Sequence, residues 1–147
     1  MTKFCMLALG LIFSVSGRAD NFTLQSNVTN LKFFNGQVVA TLTWLKQPTV
    51  SQKNQLKIEL KEANGQALEV DPSELNANLY MTEMPDMGTE KQKVVAIADA
   101  SGNPVAGSFM INGMRLSMGG GWTLTLTLPN PDGHGQTETQ KFEFSTN

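Results

Sequence analysis

Four stretches of the chain alternate between an apolar set and a mostly polar set of residues. Val38, Ala40, Leu42 and Trp44 interleave with Val39, Thr41 and Thr43. Leu56, Ile58 and Leu60 interleave with Lys57, Glu59 and Lys61. Trp122, Leu124, Leu126 and Leu128 interleave with Thr123, Thr125 and Thr127, and Phe142 and Phe144 interleave with Lys141, Glu143 and Ser145. A period of two puts one set of side chains on a buried face and the other in water, which is the signature of a half-buried β-strand. The Thr/Leu stretch is the clearest, because β-branched threonine suits a solvated strand face. Trp44 and Trp122 fall on the inward parity and are expected in the core.

Turn chemistry separates these runs. Asn35-Gly36, Asn64-Gly65, Ser101-Gly102-Asn103-Pro104, Asn112-Gly113 and Pro131-Asp132-Gly133 all carry residues that favour reversal. Asn64-Gly65 predicts a two-residue hairpin between Leu56–Ala63 and Gln66–Val70. No segment has the length and 3.6-residue period of a helix; Pro72 to Asn78 fits a single turn opened by proline. Short strands at this spacing predict an all-β fold, an antiparallel β-sandwich of about seven or eight strands.

The start of the chain reads differently. Met1-Thr2-Lys3 is short and basic, Phe4 to Val15 is almost wholly apolar, and Ser16-Gly17-Arg18-Ala19 is rich in small residues. About twelve apolar residues are too few to span a bilayer as a helix, which takes roughly 20. The pattern is that of a secretory signal over residues 1–19, cleaved before Asp20, with cleavage after Ser16 or an uncleaved anchor as the alternatives. Residues 20–147 then form one domain, of a length that buries a core unaided.

Removing that segment changes the composition. The full chain has 147 residues, 11 basic and 13 acidic side chains, one cysteine and one histidine. Lys3, Arg18 and Cys5 lie in the leader, so the exported chain carries nine bases against thirteen acids and no thiol. A disulfide, a thiolate nucleophile and a His/Cys zinc cluster are excluded. The acidic balance argues against nucleic acid as a partner. No G-x-S-x-G or H-E-x-x-H pattern is present, and Glu83 and Asp86 sit in a turn, so no catalytic residue is assigned and the chain is not expected to be an enzyme.

The methionines carry the most specific signal. After Met1 and Met6, the six that remain are Met81, Met84, Met87, Met110, Met114 and Met118, all inside a window of 38 residues. Three are spaced by three and three by four. Thioether sulfur is soft and uncharged and suits Cu(I), and it binds without losing a proton. It also avoids the thiol oxidation that a cysteine site risks outside the cytoplasm. Two readings are open at this point. The sulfurs form a soft-metal site, with His134 as the one imidazole available to join them, or they fill core gaps and pack against Tyr80, Phe109 and Trp122. Even numbering places Met110, Met114 and Met118 on one face of a regular strand, although Gly113 and Gly119-Gly120-Gly121 argue against regularity.

Met84-Pro85-Asp86-Met87-Gly88 resembles the MPxMG motif of the YtkA-like and FixH-like domain family. Leu116-Ser117-Met118-Gly119-Gly120-Gly121-Trp122, followed by the Thr/Leu strand, resembles that family's second signature, and Lys57 to Val70 resembles the strand bearing its turn. The three features stand in the family's order and cover about half of the chain. The resemblance implies an immunoglobulin-like sandwich, an extracytoplasmic location in the bacterial periplasm, and a part in copper handling or oxidase assembly. It carries Met84, Met87 and Met118 over as metal-facing residues, with Met81, Met110 and Met114 as extra thioethers. Thr89 stands where family members often have a histidine. The expected partner is thus a copper ion, possible cofactor Cu(I), or a membrane or periplasmic protein that meets a methionine-rich apolar surface.

Overall fold

The structure, a computed structural model, describes residues 27–146. The expected secretory signal, Cys5 and the first two methionines lie outside the described residues.

Nine strands form in chain order: β1 (Val28–Phe33), β2 (Val38–Trp44), β3 (Lys53–Glu62), β4 (Asn76–Met81), β5 (Glu90–Gln92), β6 (Val94–Ala98), β7 (Pro104–Arg115), β8 (Gly120–Pro129) and β9 (Thr137–Thr146). They make two antiparallel sheets, ordered β1-β2-β3-β7-β6 and β5-β4-β8-β9. Assigning β2 to β9 the immunoglobulin strand letters A, B, C, C′, D, E, F and G gives sheets A-B-E-D and C′-C-F-G, the immunoglobulin-like layout. The expected seven or eight strands become nine because β1 adds outside β2. That strand has only half-buried alternation and no strong sequence signal of its own.

The alternation read from the sequence forms the core. Val38, Ala40, Leu42 and Trp44 from β2, Leu56, Ile58 and Leu60 from β3, and Leu124, Leu126 and Leu128 from β8 all face inward. Trp44 bridges the layers. Its ring centroid lies 4.9 Å from that of Phe144 and 6.3 Å from that of Phe142, both on β9 of the opposite sheet. Among the described residues the core cluster runs from Phe33 to Phe144, and a chain beginning at Asp20 keeps all of these side chains.

Two local expectations are corrected and a third, the proline-opened turn, is met over a shorter span. Asn112-Gly113 is not a turn but a β-bulge inside β7. The register runs from Asn54↔Met114 to Leu56↔Ile111, so two residues oppose Gln55, and Gly113 takes φ +76°. Gln66–Val70 is not a strand: the hairpin turn forms, with Glu62 N donating to Gln66 O at 2.8 Å, but only Lys61↔Ala67 bridges beyond it. Pro72–Glu74 forms a single 3-10 turn, capped by Asp71, and β4 begins at Asn76. The Ser73 hydroxyl, and then its backbone N–H, hold the Asp71 carboxyl below the ordinary aspartate range.

The chain leaves β3 and returns across Gly107. A Cβ there would lie 2.6 Å from the Leu60 carbonyl oxygen and 3.2 Å from the Leu68 nitrogen, and the backbone has φ +67°. Both sterics and conformation therefore demand glycine. Gly107→Ala should lose about 3 kcal/mol, adding left-handed strain to overpacking against backbone that cannot yield. Gly65→Ala, at φ +87° with nothing within 4 Å of the added Cβ, should lose only about 1 kcal/mol. Urea unfolding of the two variants checks the difference.

Candidate functional site

The pairings fix one end of the sandwich. Trp44 at the end of β2 opposes Leu56 near the start of β3, and Lys53 opposes Arg115 at the end of β7. Met81 at the end of β4 opposes Trp122, and Gly120 at the start of β8 opposes Thr146. The β2–β3, β4–β5 and β7–β8 loops therefore crowd together at this one pole.

Two of these loops carry the motif methionines. Residues 82–89 turn back on themselves after Met81: Met84 N donates to Met81 O at 3.2 Å, and Met87 N donates to Met84 O at 3.1 Å. Pro85–Met87 is a 3-10 turn opened by proline, and Gly88 leaves it at φ +109°. This loop is tied to the start of β8. Thr82 N donates to Gly121 O at 3.0 Å, and the Thr82 and Thr123 hydroxyls share a 2.8 Å hydrogen bond. Space does not require glycine here, since a Cβ on Gly121 would make an ordinary 3.6 Å contact with Thr82 and one on Gly120 a 3.9 Å contact with the Met81 methyl; it is the backbone of Gly120, at φ +122°, that calls for glycine.

The second loop is held from the other side. The Trp122 indole N–H donates to Met118 O at 3.1 Å, and the Thr146 hydroxyl reaches the same carbonyl at 3.5 Å. A buried ring near the start of strand F that bonds back to the preceding corner performs the task of the tyrosine corner in immunoglobulin domains. Leu116 O accepts from Ser51 N at 2.9 Å, which links the β2–β3 loop to the same corner.

The six methionines divide by environment. Met84, Met87 and Met118 present their side chains to solvent, at 38%, 69% and 40% exposure. Met81, at the end of β4 where the chain enters the Met84–Met87 loop, is buried in the core. Met114 is fully buried, a core side chain below the same pole. Met110 is half-buried on the outer face of β7, beside Lys57 and Val95. The strand is not regular, as Gly113 and the glycine run argue, so Met110, Met114 and Met118 share no face: the bulge at Gly113 reverses the parity between the first two, and Met118 lies beyond the strand. His134 is exposed in the β8–β9 loop, where Pro129 opposes Thr137. That is the opposite pole, roughly 30 Å away along a ten-residue strand. The strand ends thus place the loops of Met84, Met87 and Met118 at one pole, with Met81 at the end of the strand that leads into the first of them, and put Met110 on an outer sheet face and His134 at the opposite pole.

The sequence reading missed Asn54. It is buried, and its side chain accepts from Thr49 N at 2.9 Å and donates to Thr49 O at 2.9 Å, Gln52 O at 3.2 Å and Met114 O at 3.2 Å. It therefore fixes the β2–β3 loop against the end of β7. A signal existed: Asn54 shares the inward parity of Leu56, Ile58 and Leu60.

Among the described residues, no three His, Cys, Asp or Glu side chains gather into a metal-holding group. The donors concentrated at this pole are thioethers. No known family model, curated protein or solved structure matches the chain.

Exposure orders the reactivity of the sulfurs. Under limiting hydrogen peroxide, sulfoxide should form first at Met87, Met84 and Met118 and only later at Met81 and Met114, because oxidation follows access to the sulfur. Peptide mass mapping over a time course reads the order. Early oxidation of Met114 would contradict its place in the core.

Proposed function

We propose that the chain is an exported Cu(I)-binding module, a carrier or buffer of the bacterial periplasm related to YtkA-like and FixH-like domains. The observation that carries this reading is that Met84, Met87 and Met118 are exposed on two loops at the same pole, one loop tied by Thr82 to the start of β8 and the other by the Trp122 indole, with Met81 at the base of the first.

The donor chemistry fits. Cu(I) is soft and accepts low coordination numbers, so two or three thioethers satisfy it. Methionine needs no deprotonation, which leaves such a site available in mildly acidic surroundings. The candidate ligands are Met84, Met87 and Met118, with Met81 as a fourth sulfur. Loop placement leaves the side chains free to adjust around an ion and to release it to an acceptor. Thr89 in place of the family's histidine makes the set all-thioether at this pole.

A second reading also has an observation in its favour. Val28 and Leu45 carry no ligating atom, yet both are exposed at the same pole. A methionine-rich apolar surface serves protein recognition as well as metal binding.

An anaerobic Cu(I) competition against a chromogenic chelator tests the copper reading on the chain from Asp20 onward. The unmodified chain should withdraw copper from the chelator. Met84→Leu, Met87→Leu and Met118→Leu combined should abolish that withdrawal, with unfolding free energy changed by less than about 1.5 kcal/mol because volume and polarity are nearly conserved. Equal copper uptake by the triple variant, or none by the unmodified chain, overturns the assignment.

A further inference from the structure

Six large apolar side chains are exposed among the described residues, and five of them stand at the methionine pole: Val28, Leu45, Met84, Met87 and Met118. Val105, the sixth, lies at the far end of β7. Scattered surface apolar residues need no explanation, but a grouping at one end marks a contact surface.

The charges around this patch are sorted by sheet. On the side of the first sheet stand Lys46 in the β2–β3 loop, Lys53 at the start of β3, and Arg115 opposite it at the end of β7. On the side of the second sheet stand Glu83 and Asp86 in the β4–β5 loop and Glu90 at the start of β5, followed by Lys91. All are exposed, and the one ion pair among the described residues, Lys57–Glu59, involves none of them. The β7–β8 loop crosses from one sheet to the other and places Met118 between the two rims.

A partner of uniform charge would be repelled by one rim while attracted by the other. An anionic lipid surface meets Glu83, Asp86 and Glu90; a basic protein meets Lys46, Lys53 and Arg115. A two-fold axis lying in the interface, parallel to the two sheets and between them, removes the conflict, because it lays each basic rim over the other copy's acidic rim. Isologous interfaces are self-complementary in this sense. We propose that the methionine pole is a two-fold interface between two copies of this chain, apolar at its centre and cross-paired in charge at its edges.

The test is sedimentation velocity on the chain from Asp20 onward, with a Cu(I) chelator present so that the outcome is independent of copper binding. At low salt the mass should rise from monomer toward dimer as the concentration approaches about 0.5 mM, a range that captures weak association. It should return to monomer in about 0.5 M NaCl, where screening is within a few ångströms. The combined variants K46E/K53E/R115E and E83K/D86K/E90K should each be monomeric alone. Mixed in equal amounts, they should form a heterodimer, since an all-acidic pole then meets an all-basic one. Far-UV circular dichroism melts confirm that both variants fold. A monomeric unmodified chain under all conditions overturns the proposal, as does a mixture that stays monomeric or a single variant that still dimerises. Binding to anionic vesicles without self-association also overturns it.

Discussion

The pole depends on one pairing, Met81 opposite Trp122, where the end of β4 meets the start of β8. That register sets Thr82 against Gly121 and so draws the Met84–Met87 turn onto the corner that carries Met118. The same tryptophan fills the core with its ring and fixes the Met118 carbonyl with its indole N–H. Core packing and loop placement are thus one interaction. A slip of one residue in β8 would turn Trp122, Leu124, Leu126 and Leu128 out to solvent, so the apolar alternation protects the register on which the loops depend.

Much of this was legible from residue parity. Trp44, Trp122 and the Leu/Val/Ile positions of β2, β3 and β8 face inward as the alternation requires. What the pattern did not show were elements defined by pairing and not by their own composition. β5 is three residues of Glu-Lys-Gln and becomes a strand only because β4 offers an open edge. β1 exists as an addition to β2. Gln66–Val70 has strand-like composition but lacks a partner for most of its length, since Gly107 admits the backbone of Leu68 as a crossing and not as a ladder.

The site was half legible for a similar reason. Met84 and Met118 lie in segments broken by proline and glycine, where exposure at a loop is the natural reading. Met110 and Met114 lie in one continuous strand, and their relation turned on whether Gly113 is an ordinary strand residue. Its left-handed φ inserts one extra residue and exchanges inside for outside. No parity rule survives such an insertion. His134 posed a question of distance. The β8–β9 hairpin places it at the far end, beside the shallow depression lined by Gln37, Glu62, Asn64 and Asp132, and the ten-residue length of β8 separates it from the sulfurs.

Copper binding and self-association make different demands on the same side chains. Ligation uses lone pairs on three or four sulfurs and is indifferent to the charged rims. Association uses the methyl and methylene surface of those residues together with Val28 and Leu45, and it depends on the rims for orientation. A thioether serves both because it is apolar in bulk and a donor at one atom. Leucine at these positions retains the first property and discards the second. Charge reversal at the rims leaves every sulfur in place. The two proposed roles are therefore chemically separable at a single pole, and of the side chains they call on only Met81 belongs to the core that holds the sandwich together.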